Sequence, residues 1–376
     1  MKTYSIVCLS HLIWERNLFQ RPQQLMTQFD ALDHRIQYLS LMGFKRWFSS
    51  QPDEQQIRFG KAGRADNLPY VPLQKYMPFL AYLNDFRFRK IVGKLHHSTP
   101  GSTRVLWIQH PGYRRMIPKI PHDLLVYDCM DPFRAFRFSS QEILDDEDEV
   151  LLKADVVFTG GRSLHSLIEG KNPNMHCLPS GIDFPHFAQA AEPGPIPEDL
   201  AALKKPVLGY FGAVDERIDW QLIRTLCQAH REWSIVFLGP LIKMTRCPIE
   251  EPNFHYLGGK KYDLLPHYLR GFDVALIPWL VNDLTRYMSP TKTPEYLAGG
   301  RPVVSVPIPD VVADYASDVL IADSAEEYVR CCEEALKRGV GPAVKPPQSR
   351  TWREIAETMV EQINSVETTK GKLKGK

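Results

Sequence analysis

Asn282-Asp-Leu-Thr285-Arg-Tyr-Met-Ser-Pro290-Thr-Lys292-Thr-Pro-Glu295-Tyr-Leu-Ala-Gly-Gly300-Arg-Pro-Val-Val304 contains, in order, a polar loop broken by proline, a short amphipathic helix that ends in Gly-Gly, and a buried β-strand. The start of that helix predicts an anion site, because unpaired N–H groups and the positive end of the helix dipole point at the ligand, with Lys292 beside them. Glu295 lies one turn into the helix, where a carboxylate can accept hydrogen bonds from sugar hydroxyls. An anion next to a ribose suggests a nucleotide diphosphate.

The alternation of strand and helix continues outward from this segment. Apolar runs predict buried parallel strands at residues 4–9, 104–108, 124–127, 156–159, 207–211, 234–238, 274–277 and 303–306. Helical patterns lie between them at residues 21–29, 142–153, 162–169, 220–230 and 262–269. This alternation predicts an α/β fold with doubly wound parallel sheets, and the pattern restarts near residue 206.

The length of the chain predicts two large domains. At 376 residues it is too long for one ordinary core, since a domain typically has about 150 residues. Four prolines and a glycine between Pro185 and Pro197 predict an irregular linker at residues 186–203. We therefore expect one Rossmann-like domain at residues 1–185 and a second at residues 204–345. A last helix is expected at residues 351–366, after a Pro-Pro pair.

Composition excludes several classes of protein. Hydrophobic residues make up 44% and charged residues 24% of the chain, which is typical of a globular protein, and the net charge of +2 predicts no nucleic-acid partner. Seven cysteines without CxxC spacing predict neither disulfides nor a zinc site. No apolar run reaches the ~18–20 residues that cross a bilayer. We expect a cytoplasmic protein with at most peripheral contact to the inner face of the membrane, where the basic tail from Lys370 to Lys376 could touch anionic lipid.

Four further runs carry a resemblance to a known family. They are Phe19-Gln20-Arg21-Pro22-Gln23-Gln24-Leu25, Val126-Tyr127-Asp128-Cys129-Met130-Asp131, Leu178-Pro179-Ser180-Gly181-Ile182-Asp183 and Leu208-Gly209-Tyr210-Phe211-Gly212-Ala213. In this order the sequence resembles GT-B glycosyltransferases of the family 4 type, especially the subgroup near bacterial teichuronic-acid glycosyltransferases, over most of residues 1–345. The resemblance implies a GT-B fold, in which two Rossmann-like domains face a cleft and the C-terminal helix returns to the first domain.

The resemblance also implies a function. Enzymes of this type are hexosyltransferase-like: they move a sugar from a nucleotide-diphosphate donor, held by the second domain, to a hydroxyl acceptor such as a glycan or a lipid-linked sugar, held mainly by the first. A role in bacterial polysaccharide or cell-surface glycan synthesis follows, with retention of anomeric configuration and without a metal or other cofactor. Basic side chains and helix ends would then stabilise the departing diphosphate. Two alternatives stay open, a nucleotide-sugar epimerase of GT-B fold and a non-catalytic GT-B scaffold protein.

The donor side is assigned to the second domain. Arg217, in the loop after the strand at residues 207–211, suits phosphate because its planar fork can make two parallel bonds. The family's Gly-Arg pair appears here as Gly212-Ala213, and Tyr287 stands where the first acid of its Glu-x7-Glu pattern would be. The expected donor-binding residues are Gly212, Arg217, Asn282, Thr285, Pro290, Thr291, Lys292 and Glu295, of which Arg217 and Lys292 are also expected to act in catalysis.

Each donor-side residue also has a structural interpretation. Arg217 could be a solvated side chain paired with Glu216 or Asp219. Asn282 and Thr285 could cap the loop, which requires the same residue types. Glu295 could be an ordinary exposed acid of a helix.

The acceptor side is assigned to loops of the first domain, since ligands of open α/β sheets bind at the carboxyl ends of strands. The expected acceptor-side residues are His11, Trp14, Gln20 and Arg21. His110 and Asp131 follow later strands, and either could act in catalysis by orienting or deprotonating the acceptor hydroxyl. Arg21 could instead bridge loops, and Asp128 is expected to cap a turn.

An acidic run at residues 145–149 includes Asp146-Glu-Asp148, the Asp-x-Asp pattern by which another class of glycosyltransferase binds a divalent metal. Dense like charge beside a helical pattern more typically marks a solvated face, so we expect no metal there. The sequence has no Gly-x-Gly-x-x-Gly after a strand, no P-loop and no Gly-x-Ser-x-Gly. Dehydrogenase, P-loop and hydrolase functions therefore lose their main support.

Overall fold

The chain divides into two compact units. The computed structural model describes residues 2–14, 19–42, 50–69, 86, 89–93, 101–136 and 139–374. Unit 1 comprises Met1–Gly160, Leu164–Pro179 and Trp352–Lys376, and unit 2 comprises Gly161–Ser163 and Ser180–Thr351. Each unit contains its own largely parallel sheet, so the predicted mixed α/β architecture is confirmed.

The sheet of unit 1 is built from buried apolar strands. They are β1 Tyr4–Ser10, β2 Arg35–Met42, β3 Gln56–Phe59, β4 Gly63–Pro69, β5 Thr103–Ile108, β6 Leu124–Cys129, β7 Val156–Thr159 and β8 Met175–Cys177. Their order across the sheet is β3-β4-β2-β1-β5-β6-β7-β8, and every neighbouring pair is parallel except β3 with β4. The carboxyl ends of β1, β5 and β6 therefore meet at one edge.

Residues 86 and 89–93 are helical, and the other helices of the described residues alternate with the strands. They are α1 Arg21–Ala31, α2 Pro52–Gln55, α3 Gln141–Lys153, α4 Arg162–Leu167, α5 Phe184–Ala188, α6 Glu198–Ala201, α7 Trp220–Ala229, α8 Leu265–Arg270, α9 Lys292–Ala298, α10 Pro309–Tyr315, α11 Ala325–Arg338 and α12 Trp352–Lys374. Short 3-10 helices occupy Pro111–Lys119, Phe133–Ala135, Gln189–Ala191 and Tyr262–Leu264.

Both faces of the first sheet are covered. Tyr4 and Ile6 of β1 pack in a cluster with residues of α1 and α12, whereas Val7 and Leu9 pack in a second cluster with α3. Because successive side chains of a strand point to opposite faces, this division means that helices lie on both sides of the sheet. The last helix thus belongs to the core of unit 1.

The sheet of unit 2 has the same construction. Its strands are β9 Val207–Phe211, β10 Ser234–Leu238, β11 Phe254–Tyr256, β12 Val274–Ile277, β13 Val303–Ser305 and β14 Val319–Ile321. They run parallel in the order β11-β10-β9-β12-β13-β14. The loops after β9 and β12 leave the same edge of the sheet side by side, and these loops hold most of the predicted donor residues.

The segment predicted as an irregular linker contains short helices. The helix α5 begins after Asp183, whose carboxylate accepts a hydrogen bond from the His186 N–H, and Pro185 occupies its first turn. A missing proline N–H costs nothing in that position, since the first N–H groups of a helix have no partner within it. The prediction of irregular structure from the prolines is therefore wrong for this part of the segment.

The basic tail is helical further than predicted. The helix α12 continues to Lys374, and Lys370 forms an ion pair with Asp155 of unit 1. Gly375 and Lys376 lie outside the described residues. The Lys370 side chain is therefore paired within unit 1.

Candidate functional site

Two cations meet at the carboxyl edge of the second sheet. The Lys292 Nζ lies 5.6 Å from the ring centre of Tyr210 and 5.3 Å from that of Trp279. The Arg217 guanidinium carbon lies 5.1 Å from the same Trp279 ring. The structure therefore brings together the two side chains that were predicted to bind the donor diphosphate. Trp279 was missed, although its position just after β12 is where the strand-end rule places ligand contacts.

Gly212 makes room for Lys292. The residue follows β9 with φ of 141°, and a Cβ atom added there would lie 2.1 Å from the Lys292 Cε atom. Only glycine allows both this backbone conformation and this close approach. The glycine retained from the predicted motif thus sets the position of the lysine side chain.

Arg217 is held by a carboxylate of its own loop. Its Nε and Nη2 atoms donate to the two oxygens of Asp215 at 2.8 and 2.6 Å. The partners proposed from the sequence are occupied elsewhere, because Asp219 caps α7 and Glu216 pairs with Lys243. Arg217 is therefore paired with Asp215, a carboxylate that the sequence interpretation did not name.

Burial perturbs two titrating groups of α9. Loss of hydration lowers the pKa of Lys292, and the charge of Arg217 lowers it further. Loss of hydration raises the pKa of Glu295, against the opposing effect of Lys292. Both side chains are half-buried, so Glu295 is not an ordinary exposed acid of a helix. An anion bound beside Lys292 would favour its charged form.

The loop before α9 has its polar groups bonded internally. Asn282 Oδ1 accepts from the Leu284 N–H at 2.9 Å and the Thr285 N–H at 3.2 Å, and the buried Thr285 hydroxyl donates to the Leu280 carbonyl. These are the bonds of the loop-capping interpretation. Pro290 is buried and Thr291 is half-buried at the start of α9, which is seven residues long.

The first sheet also collects predicted residues at its carboxyl edge. The His11 Nε2 atom lies 3.3 Å from an Asp131 oxygen, and the rings of His11 and His110 are 5.2 Å apart. The His110 Nδ1 atom accepts a hydrogen bond from the Gly112 N–H at 3.0 Å. Burial lowers the pKa of His110 to about 4, and the neighbouring His11 adds to the effect. His110 is therefore neutral at physiological pH.

Two expected acceptor-side residues are instead structural. Arg21 is only 3% exposed, and its guanidinium donates to Asp128 at 2.9 Å and to the Leu178 carbonyl at 2.7 Å. It joins α1 to strand β6 and to the segment after β8, and Asp128 is its fully buried partner rather than a turn cap. Trp14 is buried and stacks on Phe59 with ring centres 4.0 Å apart. Both side chains are thus buried and have partners within the protein.

Gln20 keeps an exposed position. It directly precedes α1, and its N–H donates to the Gln23 side-chain oxygen at 3.2 Å. This bond satisfies one of the donors that a helix start leaves without a partner.

The acidic run is a solvated face only in part. Asp146 and Glu147 are buried and paired with Arg114 at 2.5 Å and Arg134 at 3.0 Å, whereas Asp145 and Asp148 are exposed. The expectation failed because arginines from other segments neutralise these carboxylates, which one helical pattern cannot reveal. Within the described residues, no group of three or more His, Cys, Asp or Glu side chains is arranged to hold a metal ion.

Both the sequence and the fold of this chain resemble those of known proteins. No family model matches the chain. Its sequence is 24% identical, over 70% of this chain and 72% of the relative, to TuaH of Bacillus subtilis strain 168, which is named as a teichuronic acid biosynthesis glycosyltransferase. The resemblance inferred from the motifs is confirmed by this match.

Solved structures share the fold across nearly the whole chain. Sucrose-phosphate synthase of Thermosynechococcus elongatus has a TM-score of 0.68 with 13% identity and 98% coverage of both chains. The α,α-trehalose 6-phosphate synthase of Burkholderia multivorans has a TM-score of 0.64 with 14% identity, covering 98% of this chain and 100% of the other. HepE of Anabaena, solved in complex with UDP-glucose, has a TM-score of 0.60 with 14% identity and coverage of 98% and 99%.

The helices were also checked for the ability to span a membrane. Among the helices that the structure describes, none combines the length and apolar character needed to cross a bilayer.

By its fold and its sequence likeness to TuaH, the chain is a glycosyltransferase of the GT-B fold, similar to the teichuronic-acid glycosyltransferases.

Proposed function

We propose that this glycosyltransferase takes its sugar from a nucleotide-diphosphate donor whose phosphates bind Arg217 and Lys292. The convergence of these two cations on the Trp279 ring, at the carboxyl edge of the second sheet, is the observation that carries the proposal. Cations fixed in place before binding stabilise a charge that grows on a leaving diphosphate, because they need no reorganisation during the reaction. The UDP-glucose in the Anabaena structure supports a donor of this chemical class.

The remaining parts of the site have roles that follow from their chemistry. Glu295, one turn into α9, holds the ribose hydroxyls through its carboxylate. We propose that the acceptor is a hydroxyl of a glycan or lipid-linked sugar, and we assign Asp131 and His110, which both lie beside His11, to the acceptor side. The name of TuaH supports a role in polysaccharide or cell-surface glycan synthesis. We propose retention of configuration from the family resemblance, and transfer without a metal because Arg217 and Lys292 supply the positive charge.

A non-catalytic GT-B protein is the second candidate. Ala213 replaces the arginine of the family's Gly-Arg pair, and Tyr287 replaces its first acid. Fewer charged groups then remain to stabilise a leaving diphosphate. Donor turnover separates the two candidates, since a scaffold protein would bind a nucleotide sugar without releasing a nucleoside diphosphate.

The experiment begins with thermal-shift screening against UDP-, GDP-, dTDP- and ADP-sugars, because a ligand that prefers the native state raises the melting temperature. For the sugar nucleotide that does so, the double variant Arg217→Ala, Lys292→Ala should bind at least about tenfold more weakly by calorimetry, which corresponds to about 1.4 kcal/mol. Lys243→Ala, on an exposed lysine paired with Glu216, is the control. Unchanged affinity of the double variant would remove the phosphate assignment.

A further inference from the structure

The plane of the Arg217 guanidinium is fixed by Asp215. Besides the two side-chain bonds at 2.8 and 2.6 Å, the Arg217 backbone N–H donates to Asp215 Oδ1 at 3.0 Å. The two side chains are 20% and 13% exposed, so this ion pair is screened by water less than a surface pair. Two parallel charge-assisted bonds set the orientation of a guanidinium as well as its position.

The backbone around Arg217 is held too. The Arg217 carbonyl accepts from the Leu280 N–H at 2.7 Å, and the Asp219 N–H donates to the Pro278 carbonyl at 2.9 Å. Between them, Ile218 and Trp279 form an antiparallel bridge. The loop after β9 is thus bonded to the segment after β12, which carries the indole under the guanidinium. Arg217 is anchored through its backbone, its ring contact and its carboxylate partner.

We propose that Asp215 is a positioning residue for the donor, which holds Arg217 in the place and plane in which it binds a diphosphate. The inference rests on the proposed function of Arg217. A residue that only contributed negative charge near an anion site would weaken anion binding, and its removal would tighten it. A positioning residue has the opposite effect, because an arginine that is not held must lose side-chain freedom when the ligand binds. The sign of the change therefore separates the two roles.

The test measures binding of inorganic pyrophosphate and of UDP to the full chain by titration calorimetry. Asp215→Asn keeps the size and one oxygen for the Arg217 backbone N–H, but loses the charge and the second carboxylate oxygen. Glu216→Gln is the matched control, because it removes the same charge from the next residue, which is 66% exposed and pairs with Lys243. We expect Asp215→Asn to weaken pyrophosphate binding about tenfold and Glu216→Gln to change it by less than about twofold. Parent-like or tighter binding by Asp215→Asn would overturn the proposal.

Two further variants distinguish geometry from folding and from charge. Asp215→Glu keeps the charge and moves it by one methylene, so a loss of affinity in this variant reports position alone, and parent-like affinity counts against the proposal. In an Arg217→Ala background, Asp215→Asn should cause no further loss of affinity, and an additional loss would show that Asp215 acts independently of Arg217. Binding by Arg217→Ala that equals the parent would refute the donor site itself, whereas a loss with Arg217→Ala but not with Asp215→Asn would refute only the positioning role. Melting temperatures of all variants check that they fold.

Discussion

The residues of the proposed donor site depend on each other electrostatically. Lys292 is surrounded by aromatic rings and lies beside Arg217, so its ammonium group is costly to keep charged until an anion arrives. Glu295 nearby has a raised pKa for the same reason, its burial. A bound diphosphate and ribose would relieve both costs, since phosphate favours the charged lysine and hydroxyl donors favour the charged carboxylate.

Glu295→Gln is expected to weaken binding of the donor nucleotide more than it affects folding. The loss of a charged hydrogen-bond acceptor typically costs ~1.5–3 kcal/mol, or roughly 10–150-fold in affinity. Glutamine preserves the size and the helix propensity, so the melting temperature should barely move. Calorimetry with the nucleotide found by thermal shift measures the effect, and Glu326→Gln, on an exposed acid in the first turn of α11, is the control. A variant that unfolds, or that binds like the parent, would make Glu295 structural.

The sequence predicted which cations would act together but not what holds them. Arg217 and Lys292 could be named because strand ends and motif positions are visible along the chain. Asp215 stands two residues from Arg217, yet its role depends on the rotamers of both side chains. Trp279 meets them only because β12 lies beside β9 in the sheet. Such partners depend on tertiary contacts that spacing does not encode.

Among the elements, the central strands were the easiest to predict. The strands β7, β9, β10 and β12 begin and end where the apolar runs do, since strands buried on both faces are continuously hydrophobic. The strand β4 was missed because it contains Asp66 and Asn67. Both are buried, and their hydrogen bonds to Gln37 and Ser40 of β2, each at 2.7 Å, replace the lost hydration.

Further elements were missed for related reasons. They are the strands β2, β3, β8, β11 and β14 and the helices α2, α5, α6, α10 and α11. The edge strands are three or four residues long, and such short runs give little periodicity to detect. In contrast, α12 was expected at residues 351–366 and continues to Lys374, where Lys370 pairs with Asp155.

The pair of Arg21 and Asp128 joins α1 to β6, and we expect it to matter for folding. Asp128→Asn leaves the buried Arg21 guanidinium without its counter-charge, which typically costs about 3–5 kcal/mol. Asp123→Asn is the matched control, because Asp123 pairs with Arg104 near the surface, where one ion pair is worth about 0–1 kcal/mol. Chemical denaturation followed by circular dichroism measures both. Equal, small losses in the two variants would mean that the buried pair contributes no more than the exposed one.

At the scale of the whole molecule, two units with separate cores and separate sheets provide two strand edges, each with its own chemistry. The edge of unit 2 gathers Arg217 and Lys292, while the edge of unit 1 gathers His11, His110 and Asp131. Ligands of open α/β sheets bind at such edges. A cationic edge suits the donor diphosphate, and an edge with a carboxylate and neutral imidazole suits a hydroxyl.

The proposed charge balance predicts that sugar transfer by the whole protein does not depend on a divalent metal. Arg217 and Lys292 supply the positive charge that a metal ion would otherwise supply to the leaving diphosphate. Asp146 and Glu147 of the acidic run are already paired with arginines. EDTA should therefore leave the initial rate of nucleoside diphosphate release unchanged, as should Asp148→Asn, whose side chain is the exposed acid of the Asp-x-Asp pattern. Asp146→Asn would instead lower stability, since it breaks the pair with Arg114. If chelation abolishes turnover and Mg²⁺ or Mn²⁺ restores it, the two cations are not sufficient, and a metal must stabilise the leaving diphosphate.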